Sequence, residues 1–113
     1  MRMKLYWKKT CSTCRDARKY LAELGAKFED VDLAPGLSVA ELDALIGKRD
    51  YREFLNFRNE LYRERGMKKN PPARDEALRL MSANPNLVRR PLLAKGRAVV
   101  IGFDKEAMKE MAG

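Results

Sequence analysis

The start of the chain follows a strand, helix, strand pattern, and this order constrains the fold more than any other feature. Residues 3–7 alternate between polar and apolar side chains and are β-prone, so they predict a strand. Apolar residues within 17–24 recur at the spacing of one helix face, and Gly25 provides a stop. Residues 28–33 alternate again. The sequence therefore predicts a parallel βαβ unit.

The middle of the chain has helical signals. Ser38 with Glu41 three residues later forms a capping-box motif, and an apolar helix face follows. Residues 48–69 look helical but short and strongly basic, and their packing positions are Phe54, Leu55, Leu61 and Tyr62. A further helix is predicted over 75–81, between two proline-containing breaks. We therefore expect a helical insert at about 37–84.

The last third changes to a period of two. Residues 91–94 and 98–101 flank a Lys95-Gly96 turn, which predicts a β-hairpin, and Asp104 can cap a final helix. The predicted fold class is α/β, with β-α-β and β-β-α halves forming a mixed four-stranded sheet around the insert. A length of 113 residues fits a single domain, 1–113.

The charge is strongly positive, at +8, and part of the excess lies between Lys48 and Arg74, with nine basic and four acidic residues. This segment is consistent with a solvated face, an oxyanion site, an acidic protein partner or, with less support, nucleic acid. No signal-peptide pattern or apolar run of about 20 residues is present. We therefore expect a cytoplasmic protein that has no membrane contact.

The two cysteines, Cys11 and Cys14, form a CxxC motif between the first strand and the first helix. Residues three apart share a helix face, so the two sulfurs can meet. At a helix N-terminus the dipole and free N–H groups stabilise a thiolate, and we expect Arg15 and Arg18 to act in the same direction. The chain has no histidine, so Cys11 must be activated in this way. Cys14, one turn further, suits a resolving role.

The cysteine pair has two other interpretations. A structural zinc site needs about four Cys or His ligands, and the chain has only two cysteines. The cysteines could also be incidental buried thiols. The strand–loop–CxxC–helix context favours a redox-active centre that forms a disulfide bond, with no metal.

The whole pattern resembles the arsenate reductase (ArsC)/Spx family, which has a thioredoxin-like fold. The residues that carry the resemblance cover most of the chain: Tyr6 with Cys11-Ser-Thr-Cys14-Arg-Asp-Ala-Arg18, Phe57-Arg58-Asn59, Asn84-Pro-Asn-Leu-Val-Arg-Arg-Pro91-Leu-Leu93 and Ala98-Val-Val-Ile-Gly-Phe103. Their spacing makes the match more specific than CxxC alone.

The resemblance implies a site. Cys11 and Cys14 are the catalytic pair, Arg58 and Arg90 bind an anion, and Pro91 is a cis-proline beside the active cysteine. Guanidinium groups suit this role because they donate paired hydrogen bonds to an oxyanion. The resemblance implies no bound cofactor, with glutathione or a thioredoxin/glutaredoxin system as the reductant.

Two departures from the family pattern bear on the substrate. Glutathione-linked arsenate reductases of this family use one reactive cysteine and a third arginine just past the last hairpin strand. This chain has CxxC, and it reads Val-Ile-Gly-Phe at 100–103. Both differences make it more similar to Spx and to the reductase-like members.

Three functions follow. The first is a thiol-disulfide oxidoreductase acting on an oxyanion, a disulfide or a glutathione adduct. The second is an Spx-type redox-switched transcriptional regulator, in which the basic insert binds the RNA polymerase α subunit without direct contact to nucleic acid. The third is a thioredoxin-like scaffold with neither role. We expect a monomer in each case.

Overall fold

The computed structural model describes residues 2–113, and this range contains four strands and five α-helices. The strands are β1 (Met3–Trp7), β2 (Phe28–Asp32), β3 (Leu92–Lys95) and β4 (Ala98–Ile101). The helices are α1 (Ser12–Glu23), α2 (Val39–Ile46), α3 (Glu60–Glu64), α4 (Arg74–Ala83) and α5 (Lys105–Ala112). None of the helices within 2–113 is long and apolar enough to cross a membrane.

The chain divides into two compact units. The first combines residues up to Leu33 with Arg90–Gly113, and the second is Ala34–Arg89. The first unit holds all the strands of the sheet and both cysteines, and the second holds α2, α3 and α4.

The sheet of the first unit has the strand order β2-β1-β3-β4. β1 is parallel to β2, as the predicted βαβ unit requires, and antiparallel to β3. β3 and β4 form the predicted hairpin, with Leu93 opposite Val100. The predicted fold class, an α/β protein with a mixed four-stranded sheet, is confirmed.

The core of the first unit lies between the sheet and helices α1 and α5. Alternate residues of the strands and one face of each helix supply it, as periods of 2 and 3.6 require. Its buried members are Met3, Leu5, Ala17, Leu21, Leu93, Val100 and Met108. Asp104 Oδ1 accepts a hydrogen bond from the Ala107 N–H at 3.1 Å, so Asp104 caps α5 as predicted.

In the second unit, α2 begins with the predicted capping box. Ser38 Oγ accepts from the Glu41 N–H at 3.1 Å, and the Glu41 carboxylate accepts from the Ser38 N–H at 3.2 Å. α4 contacts α2, and an ion pair of 2.7 Å between Arg74 and Asp43 joins the two helices.

The segment 48–69 is less helical than the sequence predicted. Within it only a 3-10 turn at Tyr51–Phe54 and the short α3 are helical. Between them Leu55 is extended, and residues 56–59 form a turn closed by a hydrogen bond of 3.0 Å from the Asn59 N–H to the Asn56 carbonyl. This stretch pairs with a distant segment: the Asn56 N–H donates to the Leu87 carbonyl at 2.7 Å, and Leu55 forms a β-bridge with Val88. This long-range pairing outweighs the local helical preference.

Candidate redox site

Cys11 is the N-cap residue of α1. A tight turn leads into it from β1, closed by a hydrogen bond of 3.0 Å from the Cys11 N–H to the Lys8 carbonyl. The Cys11 backbone is extended, with φ −94° and ψ 111°, and its sulfur accepts a hydrogen bond from the Cys14 N–H at 3.3 Å. The sulfur thus takes the position that a serine or aspartate oxygen usually occupies at a helix start.

The pKa of the Cys11 thiol lies below its ordinary value. Partial burial is the largest single influence and opposes ionisation. Hydrogen bonds from the Cys14 thiol and backbone N–H, with the hydrogen bond and charge of Arg90, together outweigh it. Cys11 is half-buried, so a thiolate here remains accessible to reactants. The arrangement suits a nucleophile.

Cys14 has the opposite character. Its side chain is fully buried, and this burial is the main reason that its pKa rises to about 12, with the neighbouring Cys11 sulfur as a further cause. A backbone hydrogen bond from Lys8 and the charge of Arg90 act against the rise. Both cysteines are free thiols in this structure, and they lie within hydrogen-bonding distance of each other.

Arg90 is the cation beside the thiol pair. It follows the second unit and enters the sheet through Pro91, and the Arg90–Pro91 peptide bond is cis, as the resemblance implied. Its Nε and Nη1 atoms are buried and have no hydrogen-bond partner among residues 2–113. The guanidinium therefore retains donors in addition to its contact with Cys11.

The two arginines of α1 do not act as the sequence suggested. Neither is among the causes of the Cys11 pKa shift. Arg18 forms a two-pronged ion pair with Asp30 on β2, at 2.9 and 3.0 Å, and its guanidinium lies 5.1 Å from the Trp7 ring centre. The Arg15 Nη1 donates to the Lys9 carbonyl at 2.7 Å. Nearness along the helix was a poor guide because each guanidinium has another acceptor.

Arg58 lies in the second unit and is exposed. Its N–H donates to the Asn56 Oδ1 at 3.1 Å, and its guanidinium lies 5.8 Å from the centre of the exposed Phe57 ring. The role of Arg58 in anion binding stays a prediction. No group of three or more His, Cys, Asp or Glu side chains that could hold a metal ion occurs within the described part of the chain.

The mixed four-stranded sheet, with a CxxC pair at the start of α1, defines the chain as a thioredoxin-like protein. The chain belongs to the ArsC family, whose family model matches residues 6–111. The resemblance inferred from the sequence is therefore confirmed.

Relatives of two kinds support this placement. The chain is 34% identical over 115 residues to the uncharacterized protein YusI of Bacillus subtilis, covering 97% of this chain and 98% of YusI. It is 25% identical to the global transcriptional regulator Spx of Enterococcus faecalis, covering 93% of this chain and 82% of Spx. The solution structure of an arsenate reductase (ArsC) related protein from Brucella melitensis matches with a TM-score of 0.77 at 26% identity, over 97% of this chain and 93% of that one. The protein is thus similar both to an arsenate reductase related protein and to Spx.

Proposed function

We propose that the protein is a thiol-disulfide oxidoreductase in which Cys11 is the nucleophile and Cys14 the resolving cysteine. One observation carries the proposal: the two thiols lie together but differ sharply. Cys11 is accessible and has a lowered pKa, whereas Cys14 is buried and has a raised one. Such a difference assigns the first attack to Cys11, because the thiolate is the reactive form.

The reaction follows from this assignment. The Cys11 thiolate attacks one sulfur of a disulfide or glutathione adduct, and the other sulfur leaves as a thiolate. Cys14 then gives up its proton to solvent, attacks the Cys11 sulfur and releases the second thiolate. A mixed disulfide at Cys11 carries no negative charge, which removes one cause of the raised Cys14 pKa. The substrate gains two electrons, and the protein ends with a Cys11–Cys14 disulfide.

An anionic group on the substrate would fit beside Cys11. Arg90 supports this, since its buried Nε and Nη1 donors have no partner among residues 2–113 and a buried donor without an acceptor is costly. The first N–H groups of α1 add backbone donors. We assign anion binding to Arg90 and Arg58, and a structural role beside the site to Pro91. The substrate is then an oxyanion or the carboxylate-rich glutathione adduct.

The cycle needs a reductant to reopen the disulfide. Glutathione or a thioredoxin/glutaredoxin system would supply two electrons, and no bound cofactor takes part. Such systems operate in the cytoplasm, which is where we place the protein, acting as a monomer. The third arginine of the glutathione-linked arsenate reductases is missing, so we expect arsenate to be reduced slowly.

The experiment is an assay of glutathione mixed-disulfide reduction by the wild type, Cys11→Ser and Cys14→Ser, each compared with a blank that lacks the protein. Glutathione is the reductant, and glutaredoxin is left out because it reduces this substrate by itself. We expect Cys11→Ser to be inactive and Cys14→Ser to accumulate a glutathione adduct at Cys11, visible by mass spectrometry. Oxidised wild type should lose two hydrogens. Turnover by Cys11→Ser at the wild-type rate, or oxidation that yields only intermolecular dimers, would refute the proposal.

A second function is supported by the similarity to Spx over 93% of the chain. In this alternative the CxxC pair is a redox switch, and the basic second unit binds the RNA polymerase α subunit. A pull-down with purified polymerase, using oxidised and reduced protein, separates the two functions. Redox-dependent capture of the α subunit together with no turnover would favour the switch.

A further inference from the structure

The turn between β1 and α1 contacts both sulfurs. The Cys11 N–H closes it on the Lys8 carbonyl at 3.0 Å, and Cys11 then places its own sulfur at the helix cap. The backbone of Lys8 also forms a hydrogen bond with the Cys14 sulfur. A change in this turn would therefore alter the position of the Cys11 sulfur and the hydrogen bond to the Cys14 sulfur.

The hydrogen bond that closes the turn does not fix the orientation of the central peptide group. In a four-residue turn the bond joins the first and last residues, and turn types differ in the orientation of the central peptide. Here that peptide joins Lys9 and Thr10. Its carbonyl accepts a hydrogen bond of 2.7 Å from the Arg15 Nη1. Thr10 has a negative φ, like every non-glycine residue within 2–113, so the turn keeps the form that a β-branched residue tolerates.

Arg15 is joined to the turn at two points. Its backbone N–H donates to the Cys11 carbonyl at 3.1 Å, and its guanidinium reaches back to Lys9. Its charge is not among the causes of the pKa shift of either cysteine. Arg15 and Arg90 therefore have different contacts at the site: Arg90 acts on the Cys11 sulfur directly, whereas Arg15 contacts the backbone of the turn.

We infer that Arg15 is a positioning residue, whose guanidinium holds the central peptide of the Lys8–Cys11 turn and so keeps Cys11 at the cap of α1. The inference rests on the proposed role of Cys11 as nucleophile. Loss of this hydrogen bond lets the turn open, so the Cys11 sulfur spends less time against the Cys14 N–H that stabilises its thiolate.

The test is the pH profile of Cys11 alkylation by iodoacetamide, followed by peptide mass spectrometry, in Arg15→Met, Arg15→Lys and Lys19→Met. Lys19→Met is the matched control because it removes one positive charge from an exposed position of the same helix. We expect Arg15→Met to move the profile to higher pH and to slow alkylation at pH 7 by about two- to fivefold, the range for an exposed charged contact. Arg15→Lys, which keeps a charged donor, should recover part of the rate.

The inference is overturned if Arg15→Met and Lys19→Met have coincident profiles, or if Arg15→Lys is displaced as far as Arg15→Met. Both comparisons are made between variants, so they hold whatever the wild-type midpoint is. A wild-type midpoint at or above that of an ordinary thiol counts against the proposed function instead. Unchanged thermal midpoints would confirm that the variants are folded.

Discussion

The replacement of Arg90 by methionine should raise the pKa of Cys11. The Arg90 guanidinium lowers this pKa both through a hydrogen bond and through its charge. A hydrogen bond to a charged group contributes about 1.5–3 kcal/mol. Cys11 is only half-buried, so solvent screening reduces this by roughly half. A free-energy change of about 1.4 kcal/mol is a factor of ten in an equilibrium constant, so the Cys11 pKa should rise and ionisation of the thiol should become about 3–10 times less favourable.

The consequence is a rate change that depends on pH. Below the wild-type pKa, the thiolate fraction of Arg90→Met is about 3–10 times smaller, and iodoacetamide alkylation of Cys11 should slow by the same factor. Well above both pKa values the thiol is ionised in either protein, so the rates should converge. Peptide mass spectrometry separates labelling of Cys11 from that of the buried Cys14.

The matched control is Arg89→Met, which removes the same charge one residue earlier and is not among the causes of the Cys11 pKa shift. Its alkylation profile should overlay that of the wild type. The reasoning about Arg90 is refuted if the midpoint of Arg90→Met stays at the wild-type value, or if Arg89→Met moves it equally.

Three further predictions follow from the structure. The pKa of Cys14 is raised from 9.0 to about 12, so the neutral buried thiol stabilises the reduced protein below about pH 9, and this contribution is lost as the pH rises towards 12. In urea unfolding at increasing alkaline pH, the wild type should lose stability more steeply than Cys14→Ala. Parallel curves of stability against pH would contradict this. Ser38→Ala removes the capping box of α2 and should lower the free energy of unfolding by about 0.5–2 kcal/mol; an unchanged denaturation midpoint would argue against the cap. Gly25 follows α1 with φ +72°, and no atom lies within 4 Å of an added Cβ. Gly25→Ala should therefore lower the free energy of unfolding by about 1–2 kcal/mol through backbone strain alone. Gly25→Asn is the control and should lower it less.

Features that depend on neighbours along the chain were predictable. The Ser38 capping box, the Asp104 cap and the position of Cys11 at the start of α1 all involve residues three apart. The hydrophobic period located β1 at 3–7, where the structure has it, and placed the hairpin strands to within a residue. Such signals are readable because a helix turn or a strand pair close in sequence is set by local geometry.

Features that depend on distant pairing were not predictable in the same way. Leu55 is extended, and the Asn56 N–H has a partner, because Val88 and Leu87 supply backbone groups some thirty residues away. Local propensity favoured a helix there, and it was outweighed by hydrogen bonds that no short window of sequence contains.

The thiol site shows the same division. The CxxC spacing, with the helix start, determined that Cys11 would be the activated cysteine and Cys14 the shielded one. The tertiary structure shows which cation acts on the Cys11 thiol through its charge. It is Arg90, which the family resemblance had placed at the site and which the pairing of β3 with β1 brings beside Cys11, and not Arg15 or Arg18. Arg18 is paired with Asp30 because the parallel register of β1 and β2 brings that carboxylate within 3.0 Å of it. A charged side chain binds an acceptor that the folded backbone brings close to it, and separation along the sequence does not determine which acceptor that is.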